Sequence, residues 1–148
     1  MKMKMEYHNA VLLKESVDGL DIKPGGVYVD VTFGGGGHSK AILDAAHDVS
    51  VVAMDRDPSA VTRAGELSEI YGSRFTLIDL DFGRLGEIEP SKFDGILFDL
   101  GVSSFQIDEV ERGFSFRCDA PADMRMDPRV GVSASQWLET ATEEMLVR

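Results

Sequence analysis

The sequence predicts an α/β fold built on a parallel, doubly wound sheet, and three observations carry that prediction. Short apolar runs alternate with stretches of helical character, giving a βαβα order. The first two helices after a strand each begin directly where that strand ends, which calls for right-handed crossovers between parallel neighbours. The strands are apolar without clean alternation, as strands covered on both faces are.

Ahead of the first strand, Asn9 to Leu20 (NAVLLKESVDGL) has the spacing of a short amphipathic helix closing near Gly19. The turn signal Pro24-Gly25-Gly26 then introduces a strand over Val27–Val31, and glycines follow it. Ser39 is positioned to cap a helix KAILDAA. A second strand is expected over Ser50–Met54, and Asp57-Pro58 sets a capping side chain before a proline at the first helical position. Strands three and four are expected over Arg74–Ile78 and Gly95–Phe98, the latter ending at Asp99. Leu100 to Val132 is long and punctuated by Gly, Pro and Asp, which in a compact domain points to a functional loop. Ser133-Ala134-Ser135-Gln136 has the capping-box pattern and leads into a helix with Trp137, Leu138, Ala141 and Met145 on one face.

The chain of 148 residues is long enough for one core and too short for two full-sized domains. Its 15 Lys+Arg against 26 Asp+Glu give a net charge of −11, so the basic footprint by which nucleic-acid binders displace phosphate counterions is missing. A role on RNA would need positive surface from elsewhere. No apolar run reaches the roughly 18 residues of a membrane span. Lys residues in Met1–Tyr7 have no apolar stretch behind them for a signal peptide, so the expected location is cytoplasmic, without membrane partners. Cys118 is the single cysteine; it excludes an intramolecular disulfide and a Cys-rich zinc site, and no metal is expected.

Chemistry concentrates at the strand ends. In Asp30-Val31-Thr32-Phe33-Gly34-Gly35-Gly36-Gly37-His38 a strand runs into four glycines and a helix start, where free amides can face a carboxylate or phosphate. Asp55 lies 55 − 34 = 21 residues past the first of those glycines, the spacing at which nucleotide-binding folds set an acid on the ribose hydroxyls. Asp57 fits the competing role of helix cap. Phe82, after the third strand, either flanks an adenine or begins packing toward Leu85. Asp99 ends the fourth strand. Ligands of such sheets sit in the crevice outside the strands' carboxyl ends, so the four ends together point to a nucleoside-containing cofactor. Spacing alone admits NAD or S-adenosylmethionine. Ser39 occupies the last glycine position of a G-x-G-x-x-G pattern, which disfavours NAD, and Lys40 follows Ser39 and not a glycine, so the phosphate loop of ATPases is not matched.

Several blocks are recognisable beyond this geometry: Tyr7-His8-Asn9-Ala10-Val11-Leu12-Leu13, Asp30 to Ser39, Asp55-Arg56-Asp57-Pro58, Asp99-Leu100-Gly101-Val102-Ser103-Ser104, Glu111 to Phe116 and Asp123 to Pro128. With them the chain resembles the N-terminal part of the ribosomal RNA small subunit methyltransferase H family, whose members methylate the exocyclic N4 amine of a cytidine in the bacterial decoding centre. The resemblance implies a Rossmann-like class I methyltransferase fold and S-adenosylmethionine bound by Gly36, Gly37, His38, Asp55, Phe82, Asp99 and Gln106. Gln106 enters only through the resemblance; on its own it reads as a solvated loop residue. Asp99 is also the candidate catalytic acceptor near the reacting amine, although Asp99-Leu100-Gly101-Val102 departs from the Asp-Pro-Pro-aromatic of many amino-methyltransferases.

Family members are about twice as long. The resemblance implies that residues 1–132 are the N-terminal part of the methyltransferase domain and 133–148 the start of a helical substrate-recognition insertion, with the C-terminal half of the domain and most of the insertion absent. Small-subunit ribosomal RNA is then the partner of the whole protein, its binding surface outside this half. The fourth strand is expected to leave an apolar edge around Gly95–Phe98, which predicts either self-association through that edge, a homodimer being one form, or marginal stability. Arg112, Asp123, Arg125 and Asp127 read as a salt-bridged loop, with substrate contact as the alternative. An NAD-binding oxidoreductase half-domain and an inactive cofactor-binding or interaction module are the competing classes.

Overall fold

Four strands, β1 (Val27–Asp30), β2 (Ser50–Asp55), β3 (Phe75–Asp79) and β4 (Gly95–Leu97), form a wholly parallel sheet in the order β3-β2-β1-β4. This is a computed structural model, and it describes residues 10–88 and 92–147. The chain runs outward from β1 through β2 to β3, then returns to the other side of β1 for β4, so the order reverses between β1 and β4. Parallel neighbours need long crossovers, and helices α2 (Gly37–Ala45) and α3 (Pro58–Tyr71) supply the first two.

Both faces of the central strands β1 and β2 are covered, which is why these strands lack polar alternation. Tyr28, Val51, Ala53 and Phe75 pack with Ile42 and Leu43 of α2 and Ala60, Ala64 and Leu67 of α3. Val29, Val31 and Met54 point to the opposite face, against Ile88 and the partly buried Leu80, Leu85 and Phe93. β4 is the end strand of this sheet, and Ile96 and Phe98 along it are exposed.

Two compact units divide the chain, one running to Gly101 and the other starting at Val102. The expected domain boundary at 132/133 does not coincide with that division. Backbone bonds explain the grouping of 102–132 with the terminal helices: Met124 N–H donates to Arg112 O (2.9 Å), Ala134 N–H to Asp123 O (2.8 Å) and Ser135 N–H to Ala122 O (2.9 Å). The second unit holds α4 (Ser104–Asp108), a 3₁₀ turn at Val110–Arg112, α5 (Ala134–Thr140) and α6 (Glu143–Val147).

Several elements differ from expectation at their ends. The first helix, α1, spans only Leu13–Gly19, because Leu12 stands in the left-handed region (φ 51°) and interrupts any helix entering from before it; Asn9 lies outside the described residues. α2 begins at Gly37, so Ser39 is inside it and caps nothing, and the N-cap is Gly36. Asp57 caps α3 as expected, its side chain accepting from Ser59 N–H at 2.9 Å with Pro58 at the first turn. The stretch 100–132 is not wholly irregular, since α4 and the 3₁₀ turn lie within it. The single helix expected after Ser133 is two: Ala141 is extended (ψ 133°), and Thr142 starts α6 by accepting from Met145 N–H through its carbonyl (3.0 Å) and its hydroxyl (3.4 Å). The Ser133–Gln136 capping box itself is formed.

Candidate functional site

The carboxyl end of β1 is organised by a carboxylate with no exposure. Asp30 accepts from Ser39 Oγ at 2.7 Å and from Thr32 N–H at 3.1 Å, tying the strand end to the first turn of α2 across the glycines. Burial raises its pKa above the ordinary 3.8, against the two hydrogen bonds that favour the ionised form. Between these anchors the chain turns through positive φ at Gly34 (51°) and Gly36 (78°). Gly36 N–H closes the turn onto Phe33 O at 2.7 Å, and a Cβ at Gly36 would lie 2.8 Å from the Phe33 ring, so backbone and ring are in direct contact.

At the end of β2, Asp55 reaches back to that turn. Its Oδ2 accepts from Gly34 N–H at 2.7 Å and its Oδ1 from Asp57 N–H at 2.9 Å. Burial raises its pKa as well, while the two backbone donors pull it down. A carboxylate oxygen has two lone pairs, so each oxygen of Asp55 retains acceptor capacity for a hydroxyl. At the end of β3, Asp81 accepts from Gly83 N–H (2.8 Å) and Arg56 Nη1 (2.7 Å), and Phe82 starts a 3₁₀ turn over Phe82–Glu87. Phe82 is 42% exposed and its ring meets Phe98 edge-on at 6.3 Å between centroids.

Beyond β4, Asp99 N–H donates to Thr32 Oγ1 at 2.8 Å, which joins the ends of β1 and β4 where the strand order reverses. Its Oδ2 lies 3.6 Å from Nδ1 of His38, a buried residue whose Nε2 has no hydrogen-bond partner among the described residues. The structure thus gathers Gly36, Gly37, His38, Asp55, Phe82 and Asp99 in the first unit, around the carboxyl ends of the strands. Gln106 belongs to the second unit and is buried, contrary to its reading as a solvated loop residue. It is the third residue of α4 and completes a capping box, accepting from Ser103 N–H (2.9 Å) while its own N–H donates to Ser103 Oγ (3.2 Å). The salt-bridged loop expected around Arg112 is formed: Arg112 Nη2 donates to the carbonyls of Arg125 and Met126 (3.0 Å each), and Arg125 grips Asp123 at 2.9 and 2.6 Å.

Two residues of the turn went unselected in the sequence. Asp30 and Thr32 read there only as strand and motif, although an acid within an apolar strand is the signal that could have marked Asp30.

The donor set suits a nucleoside bearing an amino-acid group. The geometry of α2 leaves the amides of Gly37, His38 and Ser39 without intrahelical acceptors, Asp55 keeps acceptor capacity for a diol, and a buried imidazole nitrogen remains unpartnered beside them. The parallel sheet, its reversal point and the glycine turn between strand and helix give the chain the Rossmann-like α/β fold of the methyltransferases. More narrowly, residues 5–148 match the MraW methylase family, and the chain belongs to that family. It is 51% identical over 142 residues to a protein of Thiobacillus denitrificans (strain ATCC 25259 / T1) named ribosomal RNA small subunit methyltransferase H, a match covering 93% of this chain and 45% of that protein. The chain therefore spans less than half the length of this curated relative.

Proposed function

We propose that the chain holds S-adenosylmethionine at the strand ends through Gly36, Gly37, His38, Asp55, Phe82 and Asp99. As part of a whole cytoplasmic protein it serves methyl transfer to the exocyclic N4 amine of a cytidine in the decoding centre of small-subunit ribosomal RNA. The single observation that carries the choice of cofactor is the acidity of the crevice: β2 and β3 end in Asp55 and Asp79, and Asp99 follows β4. A sulfonium with an ammonium group is complementary to such a rim, whereas the pyrophosphate of NAD meets like charge.

When bound, the cofactor supplies a methyl group on a positively charged sulfur. The residues of the chain have two tasks. Asp55 accepts hydrogen bonds from the ribose and fixes the cofactor's orientation. Asp99 accepts a hydrogen bond from the cytosine amine, whose lone pair is conjugated with the ring and needs alignment more than a strong base. His38 beside Asp99 limits where that carboxylate can lie.

Calorimetric titration with S-adenosylmethionine, with NAD as control and Asp55→Ala as the specificity check, tests the cofactor assignment. Binding of S-adenosylmethionine that is markedly weakened in Asp55→Ala supports it. Preference for NAD would overturn it and move the chain to the oxidoreductases. For the catalytic assignment, undiminished turnover by Asp99→Ala in the whole protein would remove Asp99 from the reaction.

A further inference from the structure

Arg63 lies on the second turn of α3, outside every motif singled out in the sequence, yet its side chain reaches the glycine turn. Its Nε–H donates to Gly34 O at 2.8 Å, while Gly34 N–H donates to Asp55 Oδ2 at 2.7 Å. Both polar backbone atoms of Gly34 are therefore held by side chains, one from β2 and one from α3, at a residue whose φ of 51° leaves its backbone poorly self-determined. The circuit closes on itself. Asp57 N–H holds the other oxygen of Asp55, and the Asp57 side chain caps α3, the helix that carries Arg63, through Ser59 N–H (2.9 Å) and Ser59 Oγ (2.7 Å).

We propose that Arg63 is a positioning residue of the cofactor crevice: by holding the carbonyl of Gly34 while Asp55 holds its amide, it fixes the plane of the Asp55 carboxylate so that the remaining lone pairs face a ribose diol. The inference rests on the cofactor assignment proposed above. Two features support it. Asp55 spends one acceptor direction per oxygen on the backbone, so the direction left over is set by where Gly34 and Asp57 sit, and Gly34 lies on the glycine turn at positive φ. The Arg63 cation also acts on Asp55 directly, favouring its ionised form against burial and against Asp57. A loosened Gly34 would let the carboxylate turn away, and the loss would fall on ligands that carry the hydroxyls it receives.

That dependence on the diol separates positioning from general support of the fold. The test measures affinity of the chain for S-adenosylhomocysteine and for its 2′,3′-dideoxyribose counterpart, in the unaltered chain, Arg63→Met, Arg63→Lys and the pair Arg63→Met with Asp55→Ala. For the ribose ligand, Arg63→Met is expected to weaken binding about tenfold, the worth of a charge-assisted hydrogen bond. Arg63→Lys, which keeps a cation and a donor and preserves the test if the Met variant does not fold, is expected to lose less than Arg63→Met. The 2′,3′-dideoxy ligand is expected to bind the unaltered and Arg63→Met chains within about twofold of each other, and Arg63→Met is expected to add nothing in the Asp55→Ala background. Equal losses for both ligands, additive losses in the pair, or unchanged affinity would each overturn the role of Arg63 while leaving the cofactor assignment standing. Failure of the unaltered chain to bind the ribose ligand would overturn both.

Discussion

Replacing Gly36 by Ala adds one methyl group at the most constrained point of the glycine turn, and its cost can be worked from two separate sources. At φ 78° an L-residue sits in the left-handed region, which costs about 1–2 kcal/mol relative to glycine. The new Cβ would then stand 2.8 and 2.9 Å from two atoms of the Phe33 ring, closer than carbon atoms approach. Phe33 is 3% exposed and packs against Phe75 at 5.7 Å between centroids, so the ring has no empty volume to move into, and overpacking of this kind costs about 1–3 kcal/mol. Together the two give about 2–5 kcal/mol, a large share of the roughly 5–15 kcal/mol that holds an ordinary domain together. Urea unfolding followed by circular dichroism reads this directly, as a fall in midpoint of the order of 1–2 M at usual slopes. Gly65→Ala is the internal control. Gly65 lies within α3, a Cβ there would meet nothing within 4 Å, and the substitution is expected to stabilise by about 1 kcal/mol through helix propensity. A Gly36→Ala variant within about 0.5 kcal/mol of the unaltered chain would refute the packing described for the turn.

Three further outcomes are expected. Asp30 has its folded pKa raised above 3.8, so the folded chain keeps a proton that the unfolded chain has released; the stability this contributes is complete below 3.8 and is lost as pH rises through the folded value. Asp30→Asn should therefore flatten the decline in stability above that pH, and an unchanged slope in urea unfolding across the range would contradict the burial of Asp30. Asp123 has the opposite sign: its hydrogen bonds to Arg125 lower its pKa from 3.8 to about 2, so its contribution is present above 3.8 and disappears as pH falls toward about 2. Carboxyl carbon NMR should place its midpoint near the lower value, and a midpoint at the ordinary one would mean that the pair with Arg125 is not held in solution. The exposed β4 edge with Ile96 and Phe98 is expected to drive self-association, read as a concentration-dependent mass in sedimentation; a monodisperse monomer would refute it.

Legibility in the sequence followed the range of the interactions. Asp57 as cap of α3 and the Ser133–Gln136 box are bonds between residues two or three apart, and local chemistry shows them in full. The strand centres were legible because both faces are buried, so apolar character marks them without needing a partner. Ser39 shows the converse. A serine before a helical stretch has the local signature of a cap, but its hydroxyl bonds to Asp30 nine residues back and the helix begins at Gly37. The break at Ala141 was hidden because apolar spacing carries smoothly across Trp137, Leu138 and Met145 while Thr142 restarts the helix. Arg63 had no local signal at all, since its partner Gly34 lies 29 residues away.

The charges of the crevice explain why one class of cofactor suits it better than another. Helix starts at the carboxyl ends of parallel strands ordinarily attract anions, and a dinucleotide fold uses one for its pyrophosphate. Here the start of α3 is already occupied, because Asp57 accepts from Ser59 N–H there. Asp30 supplies a carboxylate to the first turn of α2 through Ser39 Oγ, and Asp55 takes the amide of Gly34, so two of the donors around the turn are satisfied from within. The unfilled donors are the first amides of α2, enough for one carboxylate and poorly matched to two adjacent phosphates, and the surrounding rim is acidic at Asp79 and Asp99. A ligand with one carboxylate, two cationic centres and a ribose diol meets each of these features with the opposite charge or the complementary hydrogen-bonding group. The same acidity is unfavourable for RNA, whose phosphates the 15 basic residues of a chain with net charge −11 do little to attract. Cofactor and nucleic acid thus make opposite electrostatic demands, and a protein that uses both meets them by assigning them to different surfaces. Under the function proposed above, the crevice of this chain serves the first demand.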